Sequence, residues 1–315
     1  MTDIATALAA GLCTITGGCG AAQLAHGHSA GTSLPASTAP VQPIDDAELT
    51  EQLEQGAQLL HEGGRTVPMA TLIEQLKRRE SGERAPKSAV MGSPFGEAAT
   101  GAARSAGPRS NRELYRQARA AVLVIGNLYN CGKCEKWHVG QASGFVISAD
   151  GLAVTNHHVV DRAENTTLVA MTSDGQVFPV REVIAASKAD DLAILRLDAH
   201  GLTPLPIARS AAPGDGVRVI SHPDGFHYTL TAGIVSRTFI GQRAGQKVPV
   251  LQITADFAKG SSGAPVLDDR GAVVGVVSYT KSIHHDNGAD RKRNLQMVMK
   301  NCTPSSQIWR LLPAL

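Results

Sequence analysis

The sequence predicts an all-β protein behind an N-terminal extension that is mostly disordered or helical. From residue 111 on, short apolar stretches rich in Val, Ile and Thr alternate with turn signals every eight to twelve residues. Aromatic residues are only 4% of the 315-residue chain while glycine supplies 32 residues, which suits many tight turns better than a helical bundle. With 43% hydrophobic and 18% charged residues, the chain can bury a core and is not disordered throughout.

Residues 4–22 are small and apolar, like the middle of an export signal with a small-residue cleavage region, although no Lys or Arg precedes them. Thr-Gly-Gly-Cys ending at Cys19 approaches a lipoprotein box, but Thr16 stands where an aliphatic residue is expected. Residues 1–44 are therefore a candidate export signal and flexible linker, with a disordered Ala/Gly tail as the competing reading. Export would place the protein in the periplasm, in the cell envelope or outside the cell, with a lipid anchor at Cys19 as a weaker expectation. No run of eighteen apolar residues occurs, so no membrane span is expected.

Residues 45–80 predict a small helical pair: Leu49, Leu53 and Leu60 recur at helical intervals, and Pro68 opens a second run through Met69, Leu72, Ile73 and Leu76. This pair is too small for a substantial core of its own and is expected to hold a regulatory partner or mask a cleft. Residues 81–112 are rich in Gly, Pro, Ser and Ala and read as a second linker. The net charge is only +2, and all 30 Lys and Arg lie beyond residue 64. The short basic runs at 77–79 and 291–293 lack interleaved aromatics and read as solvated faces, so no nucleic-acid partner is expected.

The β region follows as stretches 120–129, 142–148, 151–160, 191–197, 216–221, 230–236, 248–254, 263–269 and 271–279. Asp150-Gly151, Asp224-Gly225 and Arg270-Gly271 supply turns. So many strands in so short a span imply a sandwich or barrels. Ile308, Leu311 and Leu312 suggest a terminal helix over 303–315.

Three segments carry chemistry: Thr155-Asn156-His157-His158-Val159-Val160, Asp191-Leu192-Ala193-Ile194-Leu195-Arg196-Leu197, and Gly260-Ser261-Ser262-Gly263-Ala264-Pro265. A serine hydroxyl needs a base, an imidazole base needs a carboxylate to fix its tautomer, and a developing oxyanion needs backbone N–H groups beside a permissive glycine. All are present in the order His, Asp, Ser, unlike α/β-hydrolases or subtilisins.

On these residues the stretch from about 115 to 300 resembles a chymotrypsin/trypsin-like serine peptidase, closest to the bacterial high-temperature-requirement type. The matching segments are ASGFVISADGLAVTNHHVV, DDLAILRL, HPDGFHYTLTAGIVS and DFAKGSSGAPVLDDRGAVVGVVSY, with His158, Asp191 and Ser262 spaced 33 and 71 residues apart. The resemblance implies two antiparallel six-stranded β-barrels over 113–302, divided as 113–205 and 206–302. It implies a serine endopeptidase with His158 as general base, Asp191 as orienting carboxylate and Ser262 as nucleophile. The N–H groups of Gly260 and Ser262 would form the oxyanion hole, and the reaction needs no cofactor. His158, rather than His157, directly precedes the Val-Val pair; Asp191, rather than Asp190, opens the apolar pattern; Ser262, rather than Ser261, precedes Gly-Ala-Pro. Relatives of this type often carry a C-terminal PDZ domain, which is expected to be absent here.

Digestive members of the family activate when a new N-terminal ammonium pairs with an Asp just before the nucleophile. Ser261 stands there, so the oxyanion hole is expected to be preformed or ordered by loops. The substrate is expected to be a protein or peptide. Asp256, six residues before Ser262, would recruit a basic side chain if buried, or simply cap a loop. Ser278, Tyr279 and Thr280 resemble the strand that pairs with substrate backbone, with Thr280 narrowing the pocket. Cys131, Cys134, His138 and Cys302 could furnish four zinc ligands, with a Cys131–Cys134 disulfide as the alternative. His284-His285-Asp286 reads as a solvated polar loop. A catalytically latent peptide-binding module and an esterase are the rival functions.

Overall fold

The computed structural model describes residues 43–86, 107–288 and 291–312, with backbone alone for 286–288 and 291–293. The candidate export signal, Cys19 and residues 87–106 of the expected second linker lie outside the described residues.

Two closed antiparallel six-stranded barrels form the body, as expected. The first runs β1 (Val122–Asn130), β2 (Trp137–Val146), β3 (Leu152–Thr155), β4 (Thr167–Met171), β5 (Val177–Ser187) and β6 (Leu192–Leu197), ordered β1-β2-β3-β6-β5-β4. The second runs β7 (Gly216–Ser221), β8 (Thr229–Arg243), β9 (Gln246–Ile253), β10 (Pro265–Leu267), β11 (Val273–Gly288) and β12 (Arg291–Pro304), ordered β10-β11-β12-β9-β8-β7. β11 and β12 form one long hairpin, so His284 and His285 lie on a strand and not in the loop their polarity suggested. Asp286 lies on the same strand.

Five helices decorate the barrels among the described residues: α1 (Asp46–Glu62), α2 (Met69–Glu80), α3 (Asn111–Ala118), α4 (His157–Val160) and α5 (Ser305–Leu311). α3 occupies the start of the expected barrel region; Ser110 caps it, accepting from the Glu113 N–H while Glu113 reaches back to the Ser110 N–H. α1 is capped by Asp45, whose carboxylate accepts the Glu48 N–H at 3.0 Å.

The helical pair is not a tethered accessory. Leu53, Ala57 and Leu60 of α1 and Met69, Leu72, Ile73 and Leu76 of α2 belong to the same buried cluster as Val124, Ile125, Leu168 and Val183 of the first barrel. This explains why β1 is buried on both faces from Val122 to Leu128 instead of alternating. Gly126 shows how close the approach is: a Cβ there would meet Leu53, Val139 and Val169 side chains, each at 3.0 Å. Helices too short to form a core of their own are stable because each buried Leu, Ile or Met gains roughly 1.5–3 kcal/mol by leaving water.

Leu72→Ala should therefore destabilise the first barrel and its helices by about 2–5 kcal/mol, whereas Leu59→Ala, at a residue 70% exposed, should change stability by less than about 0.5 kcal/mol. Urea midpoints followed by tryptophan fluorescence check both.

Candidate active site

Antiparallel pairing explains the 33-residue spacing of His158 and Asp191. β3 ends where β6 begins, with Thr155 opposite Ala193, so the residues just after β3 meet the residue just before β6. Asp191 adopts φ +55, a conformation costly for a residue with a Cβ. Asn156 holds it there by donating its side-chain N–H to the Asp191 carbonyl at 2.9 Å.

The carboxylate of Asp191 is almost wholly buried and fully engaged. Its Oδ1 accepts from the His158 backbone N–H at 3.1 Å and lies 2.9 Å from Nδ1 of the ring; Oδ2 lies 3.0 Å from the same nitrogen. Ser278 Oγ–H donates to Oδ2 at 2.6 Å. Burial pushes the Asp191 carboxyl up, but the His158 ring, Ser278 and the His158 N–H outweigh burial and hold it below its ordinary value. An ionised carboxylate only accepts, so Nδ1 carries the imidazole proton and Nε2 presents a lone pair. The His158 side chain is 41% exposed, open enough to meet a substrate.

His157 turns away, as expected: it is buried and its Nε2 pairs with Glu80 at the end of α2. Asp190 is a turn residue, accepting from Ser187 Oγ at 2.8 Å.

Ser262 sits on the loop between β9 and β10. Its neighbour Ser261 is fully buried and structural, accepting from Ser221 Oγ at 2.9 Å. The Ser262 carbonyl accepts the Ser143 N–H at 2.8 Å, and Gly263 is pressed onto the end of β3, where a Cβ would stand 2.4 Å from Thr155 Oγ1. The loop is thereby seated on the strand that leads to His158. Among the described residues no hydrogen bond joins the Ser262 hydroxyl to His158, a contact that in ligand-free sites is commonly long.

Two peptide planes next to Ser262 are fixed by their carbonyls. Lys259 O accepts the Asp224 N–H at 2.7 Å and Ser261 O accepts the Ala264 N–H at 3.0 Å. In a trans peptide the N–H points opposite to the C=O, so Gly260 N–H and Ser262 N–H are turned away from these ties. Neither N–H donates to another described residue. Gly260 has φ +93, and a Cβ on it would lie 2.3 Å from the His222 carbonyl.

The remaining expectations divide. Ser278, read as a substrate contact, directs its hydroxyl to Asp191, and Arg243 donates to that hydroxyl at 3.2 Å while its guanidinium lies 5.2 Å from the Tyr279 ring centre. Tyr279 and Thr280 lie exposed on β11. Asp256 is not the buried carboxylate a basic pocket requires: its side chain is 82% exposed, and Lys300 neutralises it at 3.1 Å. Cys131, Cys134 and His138 come together. Cys302 does not join them, because it is buried in the apolar core of the second barrel, where desolvation raises its thiol. The four-ligand set is thus reduced to three.

Sequence reasoning missed Asn156, Arg243 and His222. Asn156 carried a signal, a polar residue closing an apolar strand beside the histidines; Arg243, at the tip of a distant hairpin, carried none.

Residues 142–276 match the trypsin-like peptidase domain family. Over these residues the chain is similar to trypsin-like peptidase domains. Over 144 residues it is 37% identical to a DegP-like periplasmic serine endoprotease of Marinomonas sp., an alignment covering 44% of this chain and 30% of that protein. It is 33% identical over 152 residues to the serine protease HhoA of Synechocystis sp., covering 45% of this chain and 37% of that one. The chain thus spans only about a third of the length of these curated relatives. The active form of the Rv3671c protease from M. tuberculosis superposes with TM-score 0.51 at 26% identity, covering 66% of this chain and 88% of that one. An HtrA-type protease, AlgW, solved with a decapeptide, shares the fold with TM-score 0.52 at 19% identity, covering 65% of this chain and 66% of that one.

His222 links the site to pH. It is fully buried, with Nε2 3.2 Å from the Leu123 carbonyl and Nδ1 accepting the Tyr228 N–H at 3.1 Å, which defines the neutral Nε2–H tautomer. Burial, reinforced by His227, pushes its pKa down from 6.5 to about 3. Below 6.5 the unfolded chain takes up a proton that the native state refuses, so stability should fall as pH drops from 6.5 toward 3. The contribution is roughly 1.4 kcal/mol per pH unit. Urea midpoints across that range should show the slope, and His222→Gln should reduce it.

Proposed function

We propose that this protein is a serine endopeptidase that hydrolyses peptide bonds through Ser262, His158 and Asp191. The observation that carries the reading is the doubly hydrogen-bonded His158–Asp191 pair, which leaves Nε2 as the only free base on the ring. Ser262 Oγ attacks the scissile carbonyl as Nε2 takes its proton. The tetrahedral oxyanion is met by the N–H groups of Gly260 and Ser262, whose peptide planes are already fixed, which supports a preformed hole. His158 then protonates the leaving amine, and water repeats the sequence on the acyl-enzyme.

A peptide substrate is supported by the free edge of β11. β10 pairs with β11 only as far as Val276, so among the described residues β11 is laddered from Ser278 onward on its β12 side alone. An extended peptide can add to that edge past Tyr279 and Thr280. A preference for Lys or Arg is not part of the proposal, since Asp256 is exposed and already paired. The relatives named periplasmic support a periplasmic or envelope location. Among the described residues no helix is long and apolar enough to cross a membrane.

The test is fluorophosphonate labelling of the uncleaved chain, with the adduct located by mass spectrometry, followed by profiling of cleaved peptides. Labelling at Ser262, abolished in Ser262→Ala and slowed by about 10²–10³-fold in Gly260→Ala, is expected. Cleavage without a basic preference should accompany it. Labelling that appears only after proteolysis near Ala120 would contradict a preformed hole, and no labelling at all would favour the latent peptide-binding module.

A further inference from the structure

We propose that Cys131, Cys134 and His138 bind a zinc-class divalent cation at the tip of the β1–β2 hairpin, with the fourth coordination position open to water. The three donor atoms already converge. Cys131 Sγ lies 3.4 Å from Cys134 Sγ, Cys134 Sγ lies 3.2 Å from His138 Nε2, and all three fall within 4.8 Å of one another. Tetrahedral zinc with bonds of about 2.3 Å to sulfur and 2.0–2.1 Å to nitrogen needs donors about 3.5–3.8 Å apart. The two short separations are therefore within tenths of an ångström of what a metal needs, and the third, at no more than 4.8 Å, closes by about 1 Å at most.

The backbone builds this arrangement. The ladder of β1 and β2 closes at Asn130 opposite Trp137, with Tyr129 opposite His138. Asn130 Oδ1 accepts the Gly132 N–H at 2.8 Å, and Gly132 takes φ +67, so the chain reverses immediately after Cys131 and returns Cys134 to the same side. The Tyr129 ring, 5.5 Å from the imidazole and tilted by 30°, backs His138 from across the ladder. A disulfide between the cysteines would use neither the imidazole nor this orientation. Two sulfurs and one imidazole nitrogen form a borderline-soft set that suits zinc and disfavours magnesium or calcium. The hairpin tip is partly exposed, which leaves the fourth position accessible.

The full-length chain, reduced anaerobically and stripped with chelator, should be titrated with Co²⁺ and then Zn²⁺. A thiolate-to-cobalt charge-transfer absorption saturating at one metal per chain and displaced by Zn²⁺ is expected. It should vanish in Cys134→Ser, weaken at least about tenfold in affinity in His138→Ala, and persist in Cys302→Ser. Absence of the band in the reduced wild-type chain, or its survival in Cys134→Ser, overturns the proposal. So does a Cys131–Cys134 disulfide that forms in preference to zinc when oxygen and metal are supplied together. The exposed hairpin tip keeps the Cys134 and His138 variants folded, and circular dichroism checks the fold of all three.

Discussion

The buried carboxylate of Asp191 is the point on which both barrels are keyed. A carboxylate taken out of water is costly unless hydrogen bonds replace the lost solvent. Here the replacements come from different parts of the chain: the backbone and ring of His158 on α4 and the hydroxyl of Ser278 on β11 of the other barrel. The backbone of Asp191 is held in its left-handed turn by Asn156. The next residue back is tied across the barrels as well, since Thr303 Oγ–H donates to the Asp190 carbonyl at 2.6 Å. One charge thus fixes the orientation of the imidazole and the seating of the second barrel against the first.

The N-terminal helices touch the same machinery from behind. Glu80 of α2 pairs with His157, one residue from His158. Asp46 of α1 accepts the His227 N–H at 2.8 Å, on the loop whose Asp224 N–H ties the Lys259 carbonyl and so turns the Gly260 N–H. Residues that composition marks as an extension therefore share hydrogen bonds with the loops that carry His158 and Ser262 or adjoin them. In digestive peptidases a buried Asp before the nucleophile meets an ammonium; here Ser261 meets Ser221 instead, and the loop needs no charge to be ordered.

Much of this was legible because motifs report local backbone needs. Gly260 and Gly263 stand where positive φ and close approach exclude a side chain, and His158 and Asp191 stand at the ends of two strands whose apolar patterns are plain. Alternating stretches and turns predicted nine or more strands in a sandwich or barrels, with the two barrels and their six-plus-six division coming from the resemblance. What stayed hidden depends on contacts remote in sequence. Arg243 reaches Ser278 from a hairpin tip, and Leu53 reaches Gly126 across the outside of a barrel, so neither the outer support of the Asp191–Ser278 contact nor the docking of α1 leaves a periodic trace. Asp256 stayed open between a basic pocket and a loop position because distance from Ser262 says nothing about burial, and Cys302 misled because cysteine spacing does not reveal which core a thiol enters.

The most direct measurement is the rate of Ser262 phosphonylation in Asp191→Asn compared with the unaltered chain at the same pH. An amide preserves the shape but carries no charge and replaces one accepting oxygen with an NH₂, so it cannot stabilise the imidazolium that forms as Nε2 takes the proton. A fall of about 10³–10⁴-fold with the fold intact by circular dichroism is the result this structure requires. A rate within a few-fold of the unaltered chain would mean that Asp191 does not orient the base, and the site would have to work by some other arrangement.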